Sequence, residues 1–524
     1  MNETGGPGGK VDLLLLNPSI EIEHPQEMFY KYYERQEEQL NLGLGALAAY
    51  LREKGVSFRI IDSNFERLSV DETVALAAQS DFNCLGFSLN IYNLGPAIRI
   101  IKKLRAAGCK QHITAGGAFA SLYAELLFSK FPYFDSIVYG DGEAAACELA
   151  ANLREGRDWR ATSGIIYPGK DGALVKNPHV RVTGDLDALP RPLRYGGTGG
   201  MQPVELARGC YGRCSFCALQ EFYGLSGHSA IRRRSLNSFF DEVEELYRAG
   251  CRHFNFQADN FFPSADAGAA DKYLEDFSAE IKKRGLEIGF FIACRVNDIT
   301  APRLKILKAC GLTGLFIGVE SINASELEAF NKKITVAEIC EAVNILNAEK
   351  VHFDCGYIFF TPWTTVPDLV RSANFMVKVG LEHFSYGAYR MKAHIYTKAL
   401  ADIKAEGLFE KSADLTGAGI ETLYLQYRFK DPAVGFIWEQ ADALYRRIYA
   451  FILEAAIEPY KERNALTQAK IISDMSVLRL IADLVKADHS NPSARAALAK
   501  ERADLHFNYA KEAVLADLKQ MSGA

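Results

Sequence analysis

Short apolar runs alternate with helical patterns along the first 160 residues. Apolar side chains recur at helical spacing over residues 42–54, 70–78, 95–107, 118–128 and 143–154. Runs with the length and composition of buried strands lie before and between these helices, at residues 11–16, 57–61, 84–88, 112–115 and 136–139. This alternation predicts an α/β fold class, with a Rossmann-like (flavodoxin-like), doubly wound domain over residues 1–160.

A second alternating series begins after residue 200. Its strand-like runs are 203–207, 253–257, 288–293, 313–319, 353–360 and 383–389, and helical patterns separate them. Right-handed crossovers between six such strands predict a partial (β/α)6 barrel over residues 201–400. Residues 161–200 read as a connector with a hairpin. Helical patterns at 432–455, 465–487 and 491–518 predict a helical C-terminal domain over residues 401–524, a cap over the substrate.

Composition and charge restrict the class of protein. A formal charge of −5 gives no basic surface for nucleic acid. The apolar stretches are strand-sized, which predicts no membrane partner, and no signal-peptide core precedes Lys10. Eleven cysteines, an odd number with eight scattered singly, indicate a reducing compartment rather than a disulfide framework. We therefore expect a cytoplasmic enzyme that acts on a small molecule.

Three cysteines carry the strongest chemical signal. Cys210, Cys214 and Cys217 form a C-x3-C-x2-C motif directly after the strand-like run at 203–207, at the end of a barrel strand where such barrels collect chemistry. Structural zinc needs four ligands, usually from two C-x-x-C pairs, and no second pair is present. A redox C-x-x-C motif would leave the third cysteine unexplained. Three thiolates suit a four-iron cluster with one open iron, and a structural metal or coincidence is the alternative.

Small residues follow several strands of the first domain. Ligands of doubly wound sheets bind at the carboxyl ends of the strands, where glycine lets a bulky group approach the backbone. The turns with this character are Ser88-Leu89-Asn90, Gly116-Gly117-Ala118 and Gly140-Asp141-Gly142-Glu143. Ordinary tight-turn chemistry is the alternative. A dinucleotide is disfavoured because Asn17-Pro18-Ser19 stands where a G-x-G-x-x-G motif would open the first helix.

The cysteine spacing resembles that of the radical S-adenosylmethionine (SAM) enzymes. A Rossmann-like domain before such a barrel, joined by the link Asp185-Leu186-Asp187-Ala188-Leu189-Pro190, resembles the cobalamin (B12)-binding radical SAM family over about residues 10–430. The resemblance implies three cofactors: a [4Fe–4S] cluster held by the three cysteines, SAM, and cobalamin. It also implies that SAM on the open iron is cleaved to a 5′-deoxyadenosyl radical.

The resemblance assigns further residues. The implied SAM contacts are Phe216, Gln257, Asp259, Asn260, Arg295, Glu320 and Ser321. The implied cobalamin contacts are Ser88, Asn90, Gly116, Gly117 and Gly140. Asp259, Asn260, Glu320 and Ser321 could instead cap helices. Residues 359–365 depart from the glycine-rich turn of the family. The D-x-H-x-x-G element that supplies a histidine to cobalt is missing, so the cobalamin is expected to be base-off without histidine.

Two other groups of residues are candidates for a role in the site. Trp363, Tyr386, Tyr389 and Arg390 are candidate substrate residues, although a barrel core also needs aromatic side chains. The run Arg232-Arg233-Arg234 reads as a solvated face, with Arg234 a candidate for reaching the cysteine loop.

The family likeness implies radical chemistry and leaves the outcome open. The favoured reaction is methylation of an unactivated carbon, or of phosphorus, through methylcobalamin, with an electron donor such as flavodoxin or ferredoxin as partner. Rearrangement, ring contraction or cyclisation without methyl transfer is the second hypothesis. A non-catalytic cobalamin sensor is the third, and the intact cysteine motif argues against it. Methylthiotransferases carry three extra cluster cysteines in their first domain, which this chain lacks.

Overall fold

The computed structural model describes residues 9–20, 41–179, 184–197, 199–227, 231–384, 389–410, 427–456, 463–487 and 491–521. Within these residues an α/β domain precedes a half-barrel, and three long helices follow. The predicted fold class is confirmed.

The first domain is built on a seven-stranded sheet. Its strands, in chain order, are β1 (Val11–Asn17), β2 (Phe58–Asp62), β3 (Phe82–Ser88), β4 (His112–Gly116), β5 (Ser136–Val138), β6 (Ile165–Pro168) and β7 (Leu174–Lys176). The spatial order is β2-β1-β3-β4-β5-β6-β7, in which the first five strands run parallel and the β6–β7 hairpin is antiparallel. The five predicted strands are therefore present, and the hairpin extends their sheet.

Helices cover both faces of this sheet. They are α1 (Leu42–Glu53), α2 (Val70–Ala78), α3 (Leu94–Ala106), α4 (Ala118–Leu122), α5 (Ala124–Lys130) and α6 (Glu143–Arg154). Successive residues of β1 point to opposite faces, so Leu14 and Leu16 enter one apolar core while Leu13 and Leu15 enter another. A strand buried on both faces is apolar throughout, which explains the uninterrupted run that the sequence shows here.

The second unit is a curved parallel sheet with outer helices. Its strands are β8 (Gln202–Glu205), β11 (His253–Gln257), β12 (Gly289–Arg295), β13 (Leu312–Glu320) and β14 (His352–Tyr357), in the order β14-β13-β12-β11-β8. Two short strands, β9 (Ala207–Arg208) and β10 (Arg232–Arg233), form a separate antiparallel pair. Five predicted strands are thus present. Residues 385–388 of the sixth predicted strand lie outside the described residues, and two isolated bridges flank them, Cys355 with Phe384 and Phe360 with Arg390.

The helices of the barrel alternate with its strands. They are α7 (Leu219–Leu225), α8 (Leu236–Arg248), α9 (Ala267–Arg284), α10 (Ala301–Ala309), α11 (Ala324–Ala329), α12 (Val336–Ala348), α13 (Val366–Val379) and α14 (Lys398–Ala405). The helix α8 buries Phe239 and Phe240, whose rings meet edge-on, and the Phe239 ring also meets Phe256 of β11 edge-on. Buried aromatic side chains therefore fill the layer between the sheet and its helices.

Three long helices close the chain: α15 (Pro432–Ala456), α16 (Arg463–Val485) and α17 (Pro492–Met521). Ile437, Val477 and Val514 belong to the same apolar core as the barrel, so the helical domain packs directly on it. None of the helices in the described part of the chain is long and apolar enough to cross a membrane.

Candidate functional site

The cysteine loop leaves the barrel at β9 and ends at α7. Cys210, Cys214 and Cys217 are half-buried free thiols on this loop. The Gln220 side chain donates to the carbonyl oxygens of Cys210 at 2.7 Å and Gly212 at 3.1 Å, which holds the first turn of the loop closed. The loop is therefore ordered by its own contacts as well as by the barrel.

The surroundings of the sulfur atoms suit thiolate ligands. Burial raises the pKa of Cys210 and raises the pKa of Cys217 to about 12, so a nearby cation is needed to keep these thiols ionised. The Gly212 amide donates to Cys210 Sγ at 3.3 Å, and Arg295 Nη1 donates to Cys214 Sγ at 3.4 Å. Hydrogen bonds to sulfur of this kind stabilise iron–sulfur clusters.

Gly212 leaves room for Arg295 beside the cysteine loop. A Cβ on Gly212 would come within 2.4 Å of Arg295 Nη1 and displace it. Arg295 Nη1 is the group that donates to Cys214 Sγ, so the glycine preserves the cation at this sulfur.

A turn at residues 329–333 supports the cysteine loop from behind. The Phe330 carbonyl accepts from the Ser215 amide at 2.9 Å, and Asn331 Nδ2 donates to the Arg213 carbonyl at 2.7 Å. Arg295 also donates to the carbonyl oxygen of Lys332. Asn331 and Lys333 both have left-handed backbones, with φ of 51° and 57°. Such strain is tolerated where the surroundings enforce it.

Lys332 is a site residue that the sequence analysis missed. Its buried ammonium donates to Glu320 Oε1 at 3.1 Å. Glu320 ends β13 with a left-handed φ of 67°, which is rare for a residue with a side chain. Gly318 leaves room for this pair, since a Cβ there would lie 2.6 Å from Glu320 Oε1. No sequence motif marks a lysine that reaches the barrel interior from a turn.

A cavity of about 580 Å³ occupies the mouth of the half-barrel. Of the predicted residues, Phe216, Glu320 and Tyr389 line it, and so does Cys217. Tyr92 and Leu122 of the first domain complete its wall. Most of the lining is apolar, with Glu320, Lys392 and His394 as polar exceptions. Burial, followed by the charge of Lys392, lowers the pKa of His394 to about 4, so its imidazole is neutral at pH 7.

Several predicted SAM residues lie away from this barrel cavity. Asn260 is fully buried and donates to the Phe262 carbonyl at 2.9 Å, and Ser321 donates to Glu326 Oε2 at 2.5 Å. The contacts of Asn260 and Ser321 therefore match the alternative interpretation, in which these side chains have a local structural role. Gln257 and Asp259 face a different cavity, described next. Asp259 accepts from the Gly209 amide at 2.8 Å and so also anchors the cysteine loop.

The second cavity, of about 410 Å³, lies between the first domain and the barrel. Ser88, Gly116, Gly117 and Gly140 line this interdomain cavity, as their positions at the carboxyl ends of the strands predict. Asn90 instead accepts from the backbone amides of Tyr92 and Asn93 and orders the turn before α3. No histidine occurs among the described residues that line the cavity.

The interdomain cavity has two different walls. The first domain contributes an apolar wall that includes Leu13, Leu15, Gly86 and Val138. The barrel contributes a polar wall that includes Glu205, Arg208, Tyr223, Gln257 and Asp259. A large ligand with both apolar and amide surfaces, such as a corrin with its nucleotide tail, matches this lining. Gly116, Gly117 and Gly140 place no side chain at this glycine edge of the cavity.

Charged side chains join the two domains beside this cavity, and we name Asp141, Glu143, Glu205, Arg208 and Arg232 the seam network. Arg208 binds Glu205 and Glu143, both at 2.8 Å, and Asp141 at 3.2 Å. Arg232 donates to Asp141 at 2.6 Å. Arg234 is buried against Glu242. The interpretation of Arg232-Arg233-Arg234 as a solvated face is therefore wrong, and Arg234 does not reach the cysteine loop.

The predicted substrate residues separate in the structure. Tyr389 lines the barrel cavity, whereas Trp363 donates to Glu406 at 2.8 Å and Arg390 is buried among aromatic rings of the C-terminal part. Neither Trp363 nor Arg390 is among the residues that line the two described cavities. Tyr386 lies outside the described residues.

Comparison with known protein families identifies both parts of this arrangement. Residues 34–150 match the B12 binding domain, and residues 204–371 match the radical SAM superfamily. These two domains imply a [4Fe–4S] cluster, SAM and cobalamin as cofactors. The two matched ranges contain, respectively, the glycine edge of the interdomain cavity and the cysteine loop.

Individual relatives are distant. The chain is 25% identical over 352 residues to the 4'-phospho-dehydrooxetanocin synthase of Priestia megaterium, covering 61% of this chain and 46% of that protein. It is 25% identical over 348 residues to the anaerobic magnesium-protoporphyrin IX monomethyl ester cyclase of Synechocystis sp., covering 64% of this chain and 66% of that protein. It is 27% identical over 333 residues to the hopanoid C-3 methylase of Methylococcus capsulatus, covering 61% and 60%. The chain thus spans about half to two thirds of the length of these relatives.

The fold has a close counterpart among solved structures. The cobalamin-dependent S-adenosylmethionine radical enzyme OxsB superposes with a TM-score of 0.75 at 18% identity, over 97% of this chain and 80% of that one. At this identity the likeness concerns the fold. It includes the C-terminal helices, which neither family match reaches.

Proposed function

We propose, from the premise that this chain belongs to the cobalamin-binding radical SAM family, that it is an enzyme which methylates an unactivated carbon, or phosphorus, of a small molecule. The domain limits that we propose are 1–160 for cobalamin, 161–200 for the connector, 201–400 for the barrel and 401–524 for the helical domain. An external one-electron donor such as flavodoxin or ferredoxin is part of the proposal.

One observation carries the proposal. The helix α7 directly follows the cysteine loop, and its residue Phe222 lines both the interdomain cavity and the barrel cavity. The two cavities therefore share a wall at α7, the helix that follows the cysteine loop. A methyl donor on one side and a radical generator on the other need this kind of shared boundary, because the substrate must contact both.

The cofactors supply the reactive chemistry: when bound, the cluster and SAM generate a radical that removes hydrogen, and methylcobalamin donates the methyl group. The chain holds and orients them. Cys210, Cys214 and Cys217 would ligate the cluster, with Arg295 neutralising charge at Cys214. The glycine edge at Gly116 and Gly117 would seat the corrin, and the mostly apolar lining of the barrel cavity keeps water from the radicals.

A second candidate is supported by the relatives. Two of them are named for a synthase and a cyclase reaction rather than for methylation. Rearrangement or cyclisation without methyl transfer would use the same two cavities and the same ligands. The two candidates differ in how SAM is consumed, which makes them separable.

The test is anaerobic reconstitution with iron, sulfide, hydroxocobalamin and SAM, followed by mass spectrometry of the nucleosides. A methylase consumes SAM in two ways, so we expect S-adenosylhomocysteine and 5′-deoxyadenosine together. 5′-Deoxyadenosine alone would favour the second candidate. Formation of neither nucleoside would contradict both candidate functions.

Cysteine variants separate the cluster from the fold. Replacing Cys210, Cys214 or Cys217 by alanine removes one of three protein ligands, so we expect a folded chain without 5′-deoxyadenosine formation. Cys340→Ala is the matched control, since Cys340 is a half-buried free cysteine on α12. Normal SAM cleavage by any of the three motif variants would overturn the assignment.

A further inference from the structure

The seam network borders two functional regions at once. Asp141, Glu143, Glu205 and Arg208 all line the interdomain cavity. Whatever fills that cavity therefore meets these charges directly. Asp141 lies in the loop that leads from β5 into α6 and Glu143 begins α6, whereas Glu205 and Arg208 belong to the barrel. The network is thus shared by both walls of the cavity.

The same residues fasten the start of the cysteine loop. Arg208 ends β9, two positions before Cys210, and pairs in register with Arg232 of β10. Asp141 accepts from both guanidinium groups, so one carboxylate of the first domain holds both strands of this small ribbon. The Asp141 amide also donates to Ser226 Oγ, at the end of α7, at 2.8 Å. Both ends of the cysteine segment are therefore tied to one loop of the first domain.

Burial strengthens the electrostatic interactions among the charges of the seam network. The side chains of Asp141 and Arg232 are 9% and 5% exposed, so salt and water screen them weakly. Burial acts to raise the pKa of Asp141, but the hydrogen bond from Arg232 and the charge of Arg208 outweigh it and lower that pKa. Asp141 is thus ionised at neutral pH. Loss of one partner from a buried network leaves the others uncompensated, which favours movement of the whole group.

We propose that Asp141 and Arg208 are positioning residues that couple the interdomain cavity to the cysteine loop. Occupancy of the cavity would alter the environment of the iron–sulfur cluster through these two residues, neither of which is a cysteine of the motif. The identity of the ligand as cobalamin rests on the proposed function. The coupling itself rests on the shared residues described above.

The test compares four proteins loaded with ⁵⁷Fe: the natural chain, Asp141→Asn, Asp141→Glu and Asp71→Asn. Asn keeps the shape of Asp141 and removes its charge, while Glu keeps the charge. Asp71 is the control because it forms an exposed ion pair with Lys103 in the same domain. Mössbauer spectra are recorded with and without saturating hydroxocobalamin, since this method detects iron and not cobalt. Cobalt and iron per chain are measured in parallel.

We expect cobalamin to change the iron spectrum in the natural chain and in Asp71→Asn. In Asp141→Asn the change should fall to about half or less while iron per chain is retained, and Asp141→Glu should recover most of it. If Asp141→Asn does not fold, Asp141→Asn with Arg232→Gln removes one guanidinium together with the carboxylate, and the same expectation applies.

Two results would overturn the inference. One is an equal cobalamin-dependent change in Asp141→Asn and in the natural chain. The other is no change in a natural chain that holds both cofactors. Either result would leave the proposed function intact if SAM is still cleaved with cobalamin bound. A natural chain that binds no cobalamin would overturn both.

Discussion

Gly116 and Gly117 are neighbours at the edge of the interdomain cavity, but a side chain has different consequences at the two positions. Gly117 has a left-handed φ of 100°, and a Cβ there would lie 3.0 Å from the Leu89 carbonyl oxygen. Substitution at Gly117 therefore strains the backbone whether or not a ligand binds. Gly116 has no such backbone, so a side chain there tests the cavity alone.

We predict that Gly116→Val abolishes cobalamin retention and spares the cluster. The added methyl groups enter the cavity where the corrin is expected, whereas the cysteine loop lies in the other domain. Cobalt per chain should fall at least about tenfold, a free-energy difference of about 1.4 kcal/mol or more, with iron per chain unchanged. Gly268→Val, at an exposed position of α9, is the control. Full cobalt in a folded Gly116→Val protein would show that these glycines serve only the turn.

Individual residues were predictable from sequence where the chemistry is local. Cys210, Cys214 and Cys217 share one loop, so their spacing alone indicates the cluster. Lys332 was missed because its role depends on a strained turn and on a partner, Glu320, twelve positions away. The alternatives for Ser321 and Asn260 could not be separated either, since only the fold shows which way a strand-end side chain points.

At the scale of elements, one buried carboxylate holds the ends of two barrel strands together. Glu326 of α11 accepts from Ser321 after β13 and from Thr361 and Thr364 after β14, with Thr364 at 2.6 Å. The unusual segment at 361–365 thus has a structural role, as a donor pair for Glu326. Burial raises the pKa of Glu326, and the donated hydrogen bonds only partly offset this.

We predict that Glu326→Gln lowers the free energy of unfolding by about 1–3 kcal/mol, because one amide cannot accept from all these donors. The loss should be larger at acidic pH. A carboxyl whose pKa is raised on folding contributes stability below its ordinary value of 4.5 and loses it as pH rises through the raised value. The gap between Glu326→Gln and the natural chain should therefore narrow from pH 4 to pH 8 in thermal unfolding. A gap that widens would contradict this.

Arg390, which forms an isolated bridge with Phe360 after β14, connects the barrel to the helical domain. Its guanidinium lies 4.3 Å from the ring centre of Tyr427, 4.6 Å from Phe429 and 4.2 Å from Trp438 of α15. It also donates to the Tyr427 carbonyl oxygen. A buried cation among three rings is an anchor between elements, and the sequence could not show it because the rings lie far along the chain.

We predict that Arg390→Ala weakens the packing of the helical domain on the barrel by about 2–4 kcal/mol, through lost cation–π contacts and the lost hydrogen bond. Calorimetry should show a first unfolding transition at a lower temperature, and the fluorescence emission of Trp438 should shift to longer wavelength. Arg446→Ala is the control, since Arg446 forms an exposed pair with Asp442 on the same α15. Equal melting of both variants would exclude the anchoring role.

At the scale of the whole molecule, the order of elements was more predictable than their junctions. Hydrophobic periodicity indicated both sheets and the three long helices, because burial on one or two faces leaves a pattern in the sequence. The junctions between domains leave no such pattern in the sequence. The seam network and the shared wall at Phe222 join residues from separate domains, and no local pattern records such a meeting.

The shared wall leads to a prediction for the whole molecule. Phe222 lines both cavities and packs against Tyr223 with ring centres 5.1 Å apart. Phe222→Ala should join the two cavities and admit water between them, which exposes radicals to quenching. We expect iron and cobalt per chain to be retained while 5′-deoxyadenosine formation without S-adenosylhomocysteine rises several-fold. Phe222→Leu, which keeps most of the volume, should restore the natural ratio. Phe128→Ala, a half-buried position on α5, controls for the loss of a ring. An unchanged nucleoside ratio in a folded Phe222→Ala protein would mean that the wall between the cavities does not separate their chemistry.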